Sequence, residues 1–219
     1  MTSVSPPPQP PPPPSSPPGG AYQDSMVAHP VQLDLNAPLK VANWRVIGNP
    51  VMAIPLALYM YILSIAVSVV TFIAWWAILF TGKYPESMFG FAAGVMRYQW
   101  RLGTFYLFMR EPYPTFTLVN TTADPGDDPA TFSIPYPEKL SRGLIFIKWL
   151  LVIPVLFVVM VLGIGAYVVL IIGFFAVLFT GKWPEGMRKY IIGLARLAFR
   201  ANAYSNLMTD VYPGFSTKE

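Results

Sequence analysis

The sequence predicts an all-α integral membrane protein built by tandem duplication, each repeat a long transmembrane helix followed by an amphipathic helix. Three observations carry this. Of the 219 residues, 54% are hydrophobic and 12% charged, about half the charge of a soluble domain. Two apolar stretches, about 51–80 and 150–179, each exceed the roughly 20 residues that cross a 30 Å hydrocarbon core. A shift of 99 positions lays 31–116 over 130–215 without a gap, with 25 identical positions, the mark of an internal duplication.

Residues 1–30 hold a Pro/Ser/Gly-rich tail with an unbroken run from Pro10 to Pro14. Such a segment buries no apolar surface and favours extended polyproline II, so it is expected to be disordered, a spacer or a docking tail for a partner that reads proline. It has neither the basic start nor the apolar middle of a signal peptide. Repeat 1 (31–116) opens with strand-like alternation from Val31 to Leu35, and repeat 2 (130–215) does so from Thr131 to Ile134. Each membrane helix carries an Ile-Pro pair, Ile54-Pro55 and Ile153-Pro154. Proline removes a helical hydrogen bond, so a kink is expected at both.

The loop after each membrane helix is the best-matched block. Phe80-Thr81-Gly82-Lys83-Tyr84-Pro85-Glu86 falls on Phe179-Thr180-Gly181-Lys182-Trp183-Pro184-Glu185. The second helices follow at about 86–109 and 185–208, and Tyr113-Pro114-Thr115-Phe116 and Tyr212-Pro213-Gly214-Phe215 end the repeats. The linker 117–129 contains Asp124-Pro125-Gly126-Asp127-Asp128, a strong polar turn, across which Phe116–Val119 and Thr131–Ile134 are expected to pair as a hairpin. Residues 216–219 form a short tail.

At 100° per residue, Gly90, Gly94, Arg97, Arg101 and Thr104 fall in one narrow arc, as do Lys189, Gly193, Arg196, Arg200 and Ala203. Two readings stay open. An interfacial helix rests its apolar faces on the acyl boundary and gives its arginines to phosphates. A membrane-embedded helix turns the arginine strip towards the other repeat, at about 2.5–3.5 kcal/mol per arginine near mid-bilayer. Gly90-x-x-x-Gly94 adds a weak signal for close helix packing.

The order Ile-Pro, apolar helix, Phe-Thr-Gly-Lys-aromatic-Pro, paired arginines and Tyr-Pro-x-Phe resembles the bacterial and archaeal membrane family known as domain of unknown function 4389, present as two tandem copies. Pro135-Tyr136-Pro137-Glu138-Lys139-Leu140-Ser141-Arg142 resembles its opening segment, and the proline tail with a doubled domain is similar to actinobacterial members. The first copy departs from the pattern with Arg110-Glu111-Pro112, where the second has Thr209-Asp210-Val211. The resemblance implies a membrane location and the repeat boundaries, and no chemistry.

Reactive groups are few. The chain has no cysteine and one histidine, which excludes disulfides, thiolate chemistry and multi-histidine metal ligation. His29 lies in the expected tail. Glu86 and Glu185 read as first-turn acids beside Lys83 and Lys182, and Glu111 and Asp210 as helix-end punctuation. A net charge of +4 with no basic run points to no nucleic acid. The remaining constellation is basic: Lys83, Arg97, Arg101, Lys182, Arg196 and Arg200 suit lipid headgroups or another anion, with Tyr84, Trp100 and Trp183 as interfacial anchors.

The expected role is therefore non-enzymatic, without cofactor or metal. The sequence suggests a multi-pass plasma-membrane (inner-membrane) protein, an accessory or scaffold subunit that contacts partner membrane proteins and anionic headgroups of the bilayer. The alternative is a small-solute or anion transporter or channel whose arginine strips line a path between the repeats.

Overall fold

The computed structural model of the chain describes residues 29–217, so the proline-rich tail lies outside the described residues up to residue 28. The elements are β1 (Gln32–Leu35), α1 (Arg45–Thr81), α2 (Glu86–Tyr106), β2 (Ala130–Ser133), a 3-10 turn (Leu144–Phe146), α3 (Lys148–Leu151), α4 (Ile153–Thr180) and α5 (Glu185–Ser205). The expectation of an all-α protein is corrected by the two-stranded sheet.

α1 and the stretch from Lys148 to Thr180 are long and apolar enough to cross a membrane. Each apolar helix ends at a glycine in the left-handed region, Gly82 (φ 73°) and Gly181 (φ 66°), whose N–H groups donate to Ile78 O and Val177 O. Any side chain would be strained at such a C-cap, which is why the loop motif keeps glycine twice. The two Ile-Pro pairs behave differently. α1 continues through Pro50 and Pro55, and Pro55 sits on its exposed side. In repeat 2 the helix is interrupted at Val152, and Pro154 stands in the first turn of α4, where a missing N–H has no partner to lose.

A short loop turns α1 back into α2, and the two run antiparallel along their length. Ala53 and Leu56 of α1 cluster with Tyr98 and Phe105 near the far end of α2. Asn49 Nδ2 donates to Phe105 O at 3.0 Å and Arg110 O at 3.1 Å. α4 and α5 repeat this: Val152 and Val155 cluster with Leu197, Ala201 and Tyr204, and Tyr190 donates to Leu162 O at 2.8 Å. Full burial of each Leu, Val or Phe stabilises the hairpins by about 1.5–3 kcal/mol. Lys148, the first residue of α3, stands where repeat 1 has Asn49. Its Nζ donates to Thr209 O at 2.7 Å and pairs with Asp210 at 2.8 Å.

The expected hairpin between Phe116–Val119 and Thr131–Ile134 does not form. β2 pairs antiparallel with β1 instead, with Leu33 opposite Phe132 and Asp34 opposite Thr131. Phe116–Val119 runs back along α2, because the glycine face there leaves room for a chain. Val119 O lies 2.7 Å from the site of a Gly94 Cβ, and Asn120 O lies 2.8 Å from that of Gly90. The small residues thus receive a loop segment, where a second helix was the expectation.

Three layers result. α2 packs between α1 and β2, and α5 between α4 and β1. Trp100 and Phe199 bring α2 and α5 together at 5.9 Å between rings. Among the described residues, the exposed large hydrophobic side chains of the long helices lie on α1 and the 144–180 stretch; α2 contributes Tyr106 alone and α5 none. The ribbon shows Gln32 and Asp34 to the outside and buries Leu33 and Leu35.

Candidate functional site

The arginine arc was legible, but what covers it was not. α2 is neither spread on a surface nor turned towards an open path: apart from Glu86, Ser87 and Tyr106 it is buried or half-buried. Arg97 donates from Nε to Phe132 O at 3.1 Å, from Nη1 to Val119 O at 3.0 Å and from Nη2 to Thr121 O and Ala123 O at 2.9 and 2.8 Å. Asp124 lies 3.1 Å from the same Nε. Burial draws the guanidinium's pKa down, and Asp124 opposes that shift.

Arg101 donates to Asp127 at 2.6 Å, which holds that carboxyl below its usual range. Arg110, where the first copy departs from the family pattern, pairs with Asp128. The polar linker is therefore a set of counter-charges for α2. Gly126, in the left-handed region at φ 75°, folds the turn so that its N–H reaches Asp124 Oδ1 at 2.8 Å.

Arg196 occupies the equivalent place in repeat 2. Its Nε donates to Leu33 O at 3.0 Å, and Asp34 lies 3.4 Å from Nη2. Leu33 and Phe132 are themselves equivalent and face each other in the ribbon. Each repeat's arginine thus holds the strand that opens the other repeat. Arg200 donates to Ser216 O at 3.2 Å, and Arg188 to the carbonyls of Leu35, Ala37 and Pro38 at 3.3, 2.6 and 2.9 Å.

The arginines proposed for headgroups, Arg97, Arg101, Arg196 and Arg200, direct these bonds into the protein. The expected anchors Tyr84, Trp100 and Trp183 are buried: the indole N–H groups of Trp100 and Trp183 donate to Asp34 O at 2.9 Å and Phe108 O at 3.0 Å. Large aromatics with a satisfied polar atom serve a core as well as an interface, and sequence spacing does not separate the two. Lys83 and Lys182 alone of the six basic residues are exposed, at the ends of α1 and α4.

The acids read as punctuation are pins. Glu111 accepts from Ala42 N at 2.8 Å, and Asp210 from Ser141 N at 2.6 Å, fastening the entry of each long helix to the exit of its hairpin. Glu185 pairs with Lys189 at 2.6 Å. A groove of about 770 Å³ runs beside Asp34, Glu185, Arg188, Lys189 and Arg196. It holds no nucleophile beside a base, and no group of three or more acidic or histidine side chains able to hold a metal occurs among the described residues.

His29, expected in a disordered tail, is half-buried. Its Nδ1 accepts from Val31 N at 3.1 Å, and its Nε2 is buried. Burial, with Arg200 adding to it, lowers its pKa to about 4. The folded state therefore binds fewer protons than the unfolded chain between pH 6.5 and about 4. Stability is expected to fall as pH drops through that window, and His29→Gln to remove that part of the loss. Thermal melts of the purified protein at pH 7 and pH 5 check both.

Among curated proteins and solved structures there is no significant match to this chain. The family described as Domain of unknown function (DUF4389) matches twice, over residues 46–117 and 142–217. Those regions hold the two helical hairpins, so the chain belongs to the DUF4389 family and carries two tandem copies of its domain.

Proposed function

We propose that this protein is a non-enzymatic scaffold or accessory subunit of the plasma membrane. Lipid and partner membrane proteins meet it along α1 and α4, and Lys83 and Lys182 contact anionic headgroups. One observation carries the reading: the exposed large apolar side chains gather mainly on two helices, while Arg97 spends its donors on the chain's own carbonyls and on Asp124. A surface of that kind is built for contact, since contiguous exposed apolar area marks membrane or protein interaction sites.

An anion path requires arginines that face each other across a passage. Here Arg97 and Arg196 are separated by the ribbon whose carbonyls they hold. The test is purification of the tagged full chain from membranes in mild detergent, followed by reconstitution. Recovery of a stoichiometric membrane-protein partner, with no anion flux in liposomes, is the expected result. Flux from the wild type that is lost in Arg97→Ala/Arg196→Ala would replace the scaffold with the transporter.

A further inference from the structure

The 99-residue offset is a rotation as well as a duplication. It maps the bond from Val41 N to Gly181 O (2.9 Å) onto that from Leu140 N to Gly82 O (2.9 Å). It maps the contact of Arg196 with Leu33 onto that of Arg97 with Phe132. Leu33 and Phe132 face each other directly, so the pseudo-two-fold axis passes between them, through the ribbon.

A two-fold axis keeps equivalent residues at equal height along itself. Val41 is therefore level with Leu140, and Gly82 with Gly181. The two hydrogen bonds join Gly82 to Leu140 and Gly181 to Val41, so all four stand at one height. Val41 and Gly82 flank α1, and Leu140 and Gly181 flank the helical stretch that ends in α4. Both long helices therefore run across the axis, antiparallel to one another.

Only two placements treat the repeats alike. With the axis in the membrane plane, α1 and α4 stand upright and cross in opposite senses, and the ribbon on the axis falls at mid-depth. That brings Asp34 and Asp127, with side chains 64% and 51% exposed, into hydrocarbon, where carboxylates are strongly disfavoured. With the axis along the membrane normal, the helices lie flat, and the ribbon with its polar face stands in water.

We propose the second placement: α1 and α4 lie in the plane of one leaflet, with lipid acyl chains covering their exposed faces, and neither helix crosses. This rests on the membrane reading above and adds its geometry. The burial of about 5–10 Å typical of interfacial helices suits one layer of helices. The exposed basic residues agree. Lys83, Lys139 and Arg142 cluster at one corner, Lys40 and Lys182 at the other, and flat helices bring both corners to the same headgroup layer.

The full chain has no cysteine, so Lys40→Cys, Ser87→Cys, Glu138→Cys and Gly186→Cys each give a single probe at an exposed position. Intact cells are treated with an impermeant maleimide, before and after permeabilisation. Flat helices place all four probes on one side, so all four label before permeabilisation or all four only after it. Upright helices split them, Ser87 with Glu138 and Lys40 with Gly186, and any split overturns the proposal. Recovery of the protein in the soluble fraction, away from membranes, would overturn the membrane reading instead.

Discussion

Arg97→Ala is expected to destabilise the protein by about 3–5 kcal/mol, the cost of breaking a buried ion pair from one side. That is a large share of the roughly 5–15 kcal/mol that holds a domain folded. The substitution strands the carbonyls of Val119, Thr121, Ala123 and Phe132 together with the Asp124 carboxylate. Phe132 is fully buried and Val119 half-buried, and unsatisfied buried acceptors lose their hydration without return. Arg97→Lys should recover little, since one ammonium cannot spread over a fork of four carbonyls. Lys83→Ala, at an exposed loop position, is expected to stay within about 0.5 kcal/mol of wild type. Thermal unfolding in detergent ranks the three. An Arg97→Ala variant that melts with wild type would show those carbonyls to be hydrated and the linker loosely held.

Gly94→Val should come next, at about 3 kcal/mol from overpacking. A Cβ at Gly94 meets Val119 O at 2.7 Å, a backbone atom tied to Arg97 at 3.0 Å. The linker cannot withdraw without breaking that bond. Gly103→Ala on the same helix has nothing within 4 Å and is expected to stabilise by about 0.5–1 kcal/mol through helix propensity. Opposite signs from two glycines of one helix, read by denaturant or thermal melts, identify a docked segment of the linker. Equal effects would mean that propensity alone governs both positions.

Which parts of this architecture were legible follows from what kind of signal each leaves. The duplication, the loop glycines, the long helices and the arginine arc are written in spacing and composition, and each is where its pattern puts it. A partner is written in no single segment. Thr131–Ile134 alternates as a strand should, but alternation says that one face is buried and not which chain lies beside it. It pairs with β1 of the other repeat and leaves the nearer chain, Leu118 to Asn120, to cover Gly90 and Gly94. Arg97 and Arg101 were visible as a pair, and Asp124 and Asp127 as a turn, yet only the folded chain shows that each set answers the other's charge. Trp100 and Trp183 show the same gap, since an aromatic ring with one polar atom suits a wet interface and a satisfied core alike.

The reciprocal hold of each repeat on the other's opening strand sets an order on synthesis. When α2 has left the ribosome, its arginine arc has as yet none of the chain that will satisfy it: Val119, Thr121, Asp124 and Phe132 are still to emerge. β1 waits longer in sequence terms, for a partner about 99 residues further on. Such distant pairing is slow, and the half-made chain shows cationic and apolar surface together while it waits. The first repeat thus reaches its final form only when the second begins to fold, and the nascent chain depends in that interval on whatever shields it, lipid or chaperone.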